Sequence, residues 1–300
     1  MSDHHHDHAC HFHEHSHEVT SKTIRGLWIA FIINILLSAA EIIFGIRADS
    51  IALIGDALHN TSDAFSILVA LIAYHIGTKQ ANKIYSYGFK RAETIGSLIN
   101  LILLFISGAY LLTEGIFKII SPEQIDGKTI IYVSILALII DIATARLSHH
   151  DSAHNSNMKM LFIHNLADAL GSVGVIISGF CVIYWGWTFV DGIIAVCIAC
   201  YMLFQSVFSF RGIADILMNA SPHGIDCDCI AEKIKAMDGI SDIHDLHLWR
   251  IDENRTRFEC HIVARDIALT AAVRQLLAAE FNIRECVIQI EEEPCPLKES

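Results

Sequence analysis

Six long apolar segments, separated by short polar stretches, constrain the fold of this chain more than any other feature. Each approaches or exceeds the roughly 20 apolar residues that an α-helix needs to cross the hydrocarbon core of a bilayer. Hydrophobic residues make up 53% of the 300 residues and charged residues only 18%, which excludes an ordinary soluble globular protein. The sequence therefore predicts an α-helical membrane domain with six transmembrane helices, at residues 27–46, 51–77, 95–117, 129–145, 160–184 and 189–210.

The chain changes character near residue 212, where charged residues become frequent and the apolar pattern shortens. The pattern predicts the order helix, strand, strand, helix, strand, at residues 228–237, 241–251, 256–264, 267–281 and 285–292. This αββαβ order is typical of a ferredoxin-like α+β domain, and its small core favours pairing with a second copy. We therefore divide the chain into a His-rich flexible tail (1–22), a transmembrane domain (23–211) and a C-terminal ferredoxin-like dimerisation domain (212–300).

The distribution of Lys and Arg between the loops predicts the orientation in the membrane. Nine basic residues lie on the side of the termini and three on the opposite side. Cytoplasmic loops carry the excess of positive charge, so both termini and the C-terminal domain are expected in the cytoplasm. The basic residues on the terminal side are Lys22, Arg25, Lys79, Lys83, Lys90, Arg91, Arg146, Lys159 and Arg211.

Partners and compartment follow from charge and from cysteine and histidine usage. The net charge of −12 disfavours nucleic acid as a partner, and nine scattered cysteines indicate free thiols in a reducing compartment. Eight histidines within residues 4–17 are typical of loose, exchangeable metal capture. The alternative is a disordered tail with no functional role.

Two His-x-x-x-Asp motifs lie inside predicted transmembrane helices. His59 and Asp63 are in the second helix, and His164 and Asp168 are in the fifth. Residues at positions i and i+4 share one helix face, so two facing helices would offer two imidazoles and two carboxylates. This donor set suits a tetrahedral Zn²⁺ ion, and two aspartates would balance its charge. The alternative is that these residues form hydrogen bonds between helices. The presence of two such motifs, rather than one, favours the metal site over this alternative.

With these motifs, the chain resembles the cation diffusion facilitator family, in particular its zinc-exporting bacterial branch. The resemblance extends over nearly the whole chain and includes SIAL at 50–53, YGFKRAE at 87–93, GSVG at 171–174 and HDLHLW at 244–249. It implies a homodimer in the cell (inner) membrane that exchanges cytosolic zinc for protons by alternating access, rather than an enzyme. It also implies that His59, Asp63, His164 and Asp168 are the transport ligands.

The resemblance further implies a zinc site in the cytoplasmic domain, at His244, His261 and Glu291. Strand alternation puts His261 on the face away from Cys260 and Ile262. The same rule predicts that His247, rather than His244, points outward from the first strand. A regulatory zinc site and solvated surface histidines therefore both remain open.

Two other functional classes are compatible with metal-binding residues in membrane helices. An intramembrane metalloenzyme would usually show His-Glu-x-x-His and an open coordination position for water, and neither is evident. A metal sensor with a membrane anchor would not need paired ligands at bilayer depth. The other polar residues of the helices receive no coordination role; they are Asn34, Ser38, Glu41, Glu114, Asp141 and Asp191.

Overall fold

The computed structural model describes residues 21–77, 79, 81–152, 156–222, 224–252 and 255–293, with backbone only at 21–24, 74, 144–152 and 156–165. The His-rich segment before Ser21 lies outside this part. Six long helices are described: α1 (Ser21–Ala48), α2 (Ile51–Gly77), α3 (Ala92–Ile120), α4 (Gly127–Ser152), α5 (Ser156–Trp185) and α6 (Phe189–Leu217). Among the described residues, four of these helices (α1, α3, α5 and α6) are long and apolar enough to cross a membrane. The protein is a multi-pass membrane protein.

Close approach between helices depends on glycine at two crossings. A Cβ atom at Gly192 in α6 would lie 2.7 Å from the carbonyl oxygen of Gly115 in α3. A Cβ at Gly127, where α4 begins, would lie 2.7 Å from the carbonyl oxygen of Gly179 in α5. Small residues let backbones meet in a bilayer, where packing rather than the hydrophobic effect holds helices together.

The N-terminus of α2 is capped by a side chain from α6. The carboxylate of Asp191 accepts a hydrogen bond of 2.6 Å from Ser50 Oγ and bonds of 2.7 Å and 3.2 Å from the backbone N–H groups of Ile51 and Ala52. The first N–H groups of a helix have no intrahelical partner, and an anion also suits the positive end of the helix dipole. Asp191 therefore joins the first turns of α2 and α6.

The C-terminal domain is a small sheet covered by two helices. Its elements are α7 (Cys227–Lys235), β1 (Ile240–Asp252), β2 (Arg255–Ala264), α8 (Leu269–Phe281) and β3 (Glu285–Glu291), each ending within two residues of its expected position. The strand order is β1-β2-β3, with β1 antiparallel and β3 parallel to β2. Phe258, Ile262 and Leu277 lie in the buried core between the sheet and the helices.

The stretch Lys79–Thr94, between α2 and α3, belongs to the same compact unit as this domain. The guanidinium of Arg257 on β2 lies 4.8 Å from the ring centre of Tyr87 and 5.9 Å from that of Trp249. Lys90 Nζ donates a hydrogen bond of 2.8 Å to Glu285 Oε1 on β3. Cation–π and ion-pair contacts therefore fix this stretch to one end of β2 and β3.

Candidate metal sites

A buried cluster of potential metal ligands lies where α2 packs against α5. His59 Nε2 is 2.9 Å from Asp168 Oδ1 and 3.7 Å from Asp63 Oδ2. The three ligand atoms all lie within 4.8 Å of one another, and His59 is only 4% exposed. Zinc holds nitrogen and carboxylate ligands at about 2.0–2.2 Å, so a small contraction of this cluster would surround one ion.

The structure thus brings together three of the four ligands expected from the two motifs. His59 and Asp63 are one turn apart on α2, as their spacing requires. His164 lies on α5 one turn before Asp168, and only its backbone is described. The helical backbone of α5 therefore gives His164 and Asp168 the expected i, i+4 relation.

Tyr201 on α6 is a neighbour of this cluster that sequence reasoning did not find. Its ring meets the His59 imidazole edge to face, with 5.5 Å between ring centres and an interplanar angle of 71°. A tyrosine among the apolar residues of a membrane helix has no spacing pattern that connects it to a histidine on another helix. Only the packing of α6 against the site reveals it.

A second polar cluster, formed by residues that received no role from the sequence, lies beside the ligands. Asn60 Nδ2 donates a hydrogen bond of 3.0 Å to Glu41 Oε2. Ser172 Oγ is 3.2 Å from Asp56 Oδ2 and 2.9 Å from Asp141 Oδ2. Four helices, α1, α2, α4 and α5, contribute to this cluster.

The C-terminal domain holds a third cluster, at the three residues expected from the family resemblance. His261 Nδ1 lies 2.9 Å from Glu291 Oε1, and His244 Nε2 lies 3.2 Å from Glu291 Oε2. The ligand atoms of the three residues all lie within 4.8 Å. One residue comes from each strand, with His244 directly opposite His261 in the ladder. Two imidazoles and a carboxylate fit a zinc ion with a further position open.

The expectation that His244 faces the core is wrong, and a β-bulge is the reason. The ladder shifts register between His244 and His247, and Asp245 has a φ of +50°. The extra residue reverses the alternation, so Ile243 and Leu246 both pack against the core and His244 faces His261. His247 points outward as expected, with 62% of its side chain exposed.

Cysteine does not contribute to either described ligand cluster. Cys260 lies next to His261 on β2 but points into the core. Burial raises the pKa of its thiol to about 12, which favours the uncharged form in the core.

Comparison with known proteins covers almost the entire chain. Residues 27–218 match the family model described as the cation efflux transmembrane domain, and residues 222–293 match that of the cation efflux protein cytoplasmic domain. "Cation efflux system protein CzcD" of Alcaligenes sp. (strain CT14) is 30% identical over 94% of this chain and 90% of its own length.

Two further relatives carry more specific names. The "Cadmium, cobalt and zinc/H(+)-K(+) antiporter" of Bacillus subtilis (strain 168) is 32% identical over 85% of this chain and 81% of its own length. "Zinc transporter ZitB" of Pectobacterium atrosepticum is 28% identical over 94% of this chain and 90% of its own length.

Proposed function

Because this chain belongs to the cation efflux, or cation diffusion facilitator, family of membrane transporters, we propose that it exports cytosolic Zn²⁺ in exchange for protons. The transport site consists of His59, Asp63, His164 and Asp168, in a tetrahedral His₂Asp₂ arrangement. All six long helices cross the membrane, and alternating access exposes the site first to one side and then to the other.

The observation that carries this proposal is the buried cluster of His59, Asp63 and Asp168 between α2 and α5. Charged groups at bilayer depth cost at least about 2.5–3.5 kcal/mol each on insertion scales, so they are retained for a function. Two carboxylates offset the charge of a divalent cation. The imidazole nitrogen is a ligand that suits zinc, whereas magnesium and calcium prefer oxygen ligands.

Exchange for protons follows from the same ligands. An imidazole ordinarily titrates near neutral pH, so His59 can take up a proton when zinc leaves and lose it when zinc binds. The resulting cation keeps the contacts of 2.9 Å and 3.7 Å to Asp168 and Asp63 favourable in the metal-free state. The name of the Bacillus subtilis relative, which includes protons among its transported ions, supports this assignment.

We further propose that the C-terminal domain is a ferredoxin-like, cytoplasmic dimerisation domain with a regulatory zinc ion at His244, His261 and Glu291. The match to the cation efflux cytoplasmic domain supports its location, and the three converging ligands support the metal. Both termini then lie in the cytoplasm, in agreement with the excess of Lys and Arg on their side of the membrane.

Zinc uptake into sealed proteoliposomes tests the function. We expect uptake that is driven by an acidic interior and collapses when a protonophore removes the pH gradient. A matched preparation of Asp63→Asn should show no uptake above protein-free vesicles. Uptake that is indifferent to the pH gradient would refute proton exchange, and zinc-dependent chemistry without uptake would favour a metalloenzyme.

A further inference from the structure

The cluster beside the transport ligands contains three buried carboxyl groups. Glu41, Asp56 and Asp141 are 0%, 3% and 7% exposed, respectively. They come from α1, α2 and α4, and Ser172 of α5 lies between Asp56 and Asp141. We call these four residues the carboxyl network.

The carboxyl groups of Glu41 and Asp56 are neighbours that lie within reach of a shared hydrogen bond. Ionised carboxylates are acceptors only, so a hydrogen bond between two carboxyl groups requires a proton on one of them. Within the described part of the chain, Glu41 Oε1 receives no N–H or O–H donor, whereas Oε2 accepts from Asn60. A proton held between Glu41 and Asp56 supplies the donor that this fully buried oxygen otherwise lacks.

The contacts of Ser172 independently indicate a proton on one of two further carboxyl groups, Asp56 or Asp141. Its Oγ lies within hydrogen-bonding distance of both Asp56 and Asp141, at 3.2 Å and 2.9 Å. A hydroxyl has a single proton and can donate to only one of the two. The other contact is a hydrogen bond only if that carboxyl group is itself protonated and donates to Oγ.

We propose that the carboxyl network is a proton-binding site, separate from the metal ligands, and that Glu41 holds an exchangeable proton in the metal-free state. Two protons complete its hydrogen bonds: Glu41 donates to Asp56, Asp141 donates to Ser172, and the Ser172 hydroxyl donates to Asp56. One negative charge then remains, on Asp56, which is less costly to bury than three.

The network is electrostatically connected to the transport site. The titratable groups that act on Glu41 are Asp56 from α2 and Asp141 from α4. Asp56 also interacts with His59 and Asp168. A divalent cation at the ligands therefore favours loss of the Glu41 proton to the solution from which the metal enters. This inference rests on the proposed zinc–proton exchange and names a residue that carries a proton in it.

The test is the number of protons released when zinc binds to the purified full-length protein, measured with a pH indicator in weakly buffered detergent solution. Glu41→Gln keeps an acceptor for Asn60 and a donor for Asp56 but cannot lose a proton. We expect it to release about one proton fewer per protomer than the wild type while still binding zinc. Glu114→Gln, the same substitution on α3, should release the wild-type number.

Several outcomes decide between the proton and the alternatives. Unchanged release from Glu41→Gln would overturn the proposal. If Glu41→Gln does not fold, infrared difference spectroscopy of the wild type takes its place: we expect zinc binding to remove the C=O band of a protonated carboxyl group, and an unchanged band would overturn the proposal. A second refuting result is zinc binding that depends on K⁺ in the wild type but not in Glu41→Gln, while both release the same number of protons. That result would identify the network as an alkali-cation site instead. Equilibrium binding needs no transport, so its result is independent of whether vesicles accumulate zinc.

Discussion

The contact of 2.9 Å between His59 and Asp168 links the two motif-bearing helices through one residue from each. Neither partner is adjacent in sequence to the other, and both are shielded from solvent. A buried imidazole and a carboxylate at this distance hold each other in place in the absence of metal, which reduces the ordering that zinc must impose on its ligands.

At the residue scale, we therefore expect Asp168→Asn to abolish zinc transport. The amide keeps the size of the side chain but removes one anionic ligand, which leaves the bound divalent charge incompletely balanced. Mutation of a residue that only hydrogen-bonds to a metal ligand typically lowers metal affinity or activity by about 10–100-fold. The loss of zinc flux in proteoliposomes on mutation of a ligand itself should be at least that large. Glu114→Gln serves as the control for removal of a membrane carboxylate, and wild-type flux from Asp168→Asn would exclude this residue from the site.

At the scale of elements, the junction between α2 and α6 depends on one carboxylate. Asp191→Ala would leave the N–H groups of Ile51 and Ala52 buried without their acceptor, at a cost of about 1–3 kcal/mol. We expect a clear fall in the apparent melting temperature in detergent. Asp126→Ala removes an exposed cap at the start of α4 and should have a smaller effect; equal effects would contradict the role of burial.

The bulge in β1 gives a second prediction for a single element. Asp245 has a φ of +50°, a conformation that asparagine tolerates and alanine disfavours. Asp245→Ala should lower the free energy of unfolding of the C-terminal domain by about 1 kcal/mol relative to Asp245→Asn. Both variants lack the carboxylate, so their difference in urea denaturation isolates the backbone preference, and equal midpoints would disprove it.

At the scale of the whole molecule, the cytoplasmic cluster should connect zinc to assembly. We expect a fragment from Gly212 onward to dimerise, and zinc to strengthen the dimer by neutralising Glu291 and cross-linking strands. His261→Ala should lower zinc affinity and the zinc-dependent gain in dimer at sedimentation equilibrium. His247→Ala removes an exposed imidazole outside the three-residue cluster and should retain the wild-type zinc affinity and the zinc-dependent gain in dimer. A wild-type response from His261→Ala would contradict a zinc site here and favour the alternative that these are solvated surface histidines.

Periodicity along one helix or strand was sufficient to predict much of this molecule. The i, i+4 spacing anticipated His59 and Asp63, and alternation placed every C-terminal element to within two residues. The bulge at Asp245 was not predictable, because an extra residue in one strand is defined only by its pairing with another. The carboxyl network was missed for a similar reason: its four residues lie on four helices, and no spacing pattern relates them.

The strands β2 and β3 hold two different kinds of contact at their two ends. Arg257 and Glu285 are directly paired in the ladder. Arg257 stacks on the ring of Tyr87 and Glu285 accepts a hydrogen bond from Lys90, so the pair attaches the stretch Lys79–Thr94 to the sheet. His261, on the same β2 strand, lies about 13 Å further along it, by the usual rise per residue, among the cytoplasmic ligands. A hydrogen-bonded pair of strands resists bending over so short a length. Hence the three-residue ligand cluster and the stretch Lys79–Thr94 are attached to the two ends of one stiff pair of strands, and a change in strand tilt at the ligands also displaces the attachment points of that stretch.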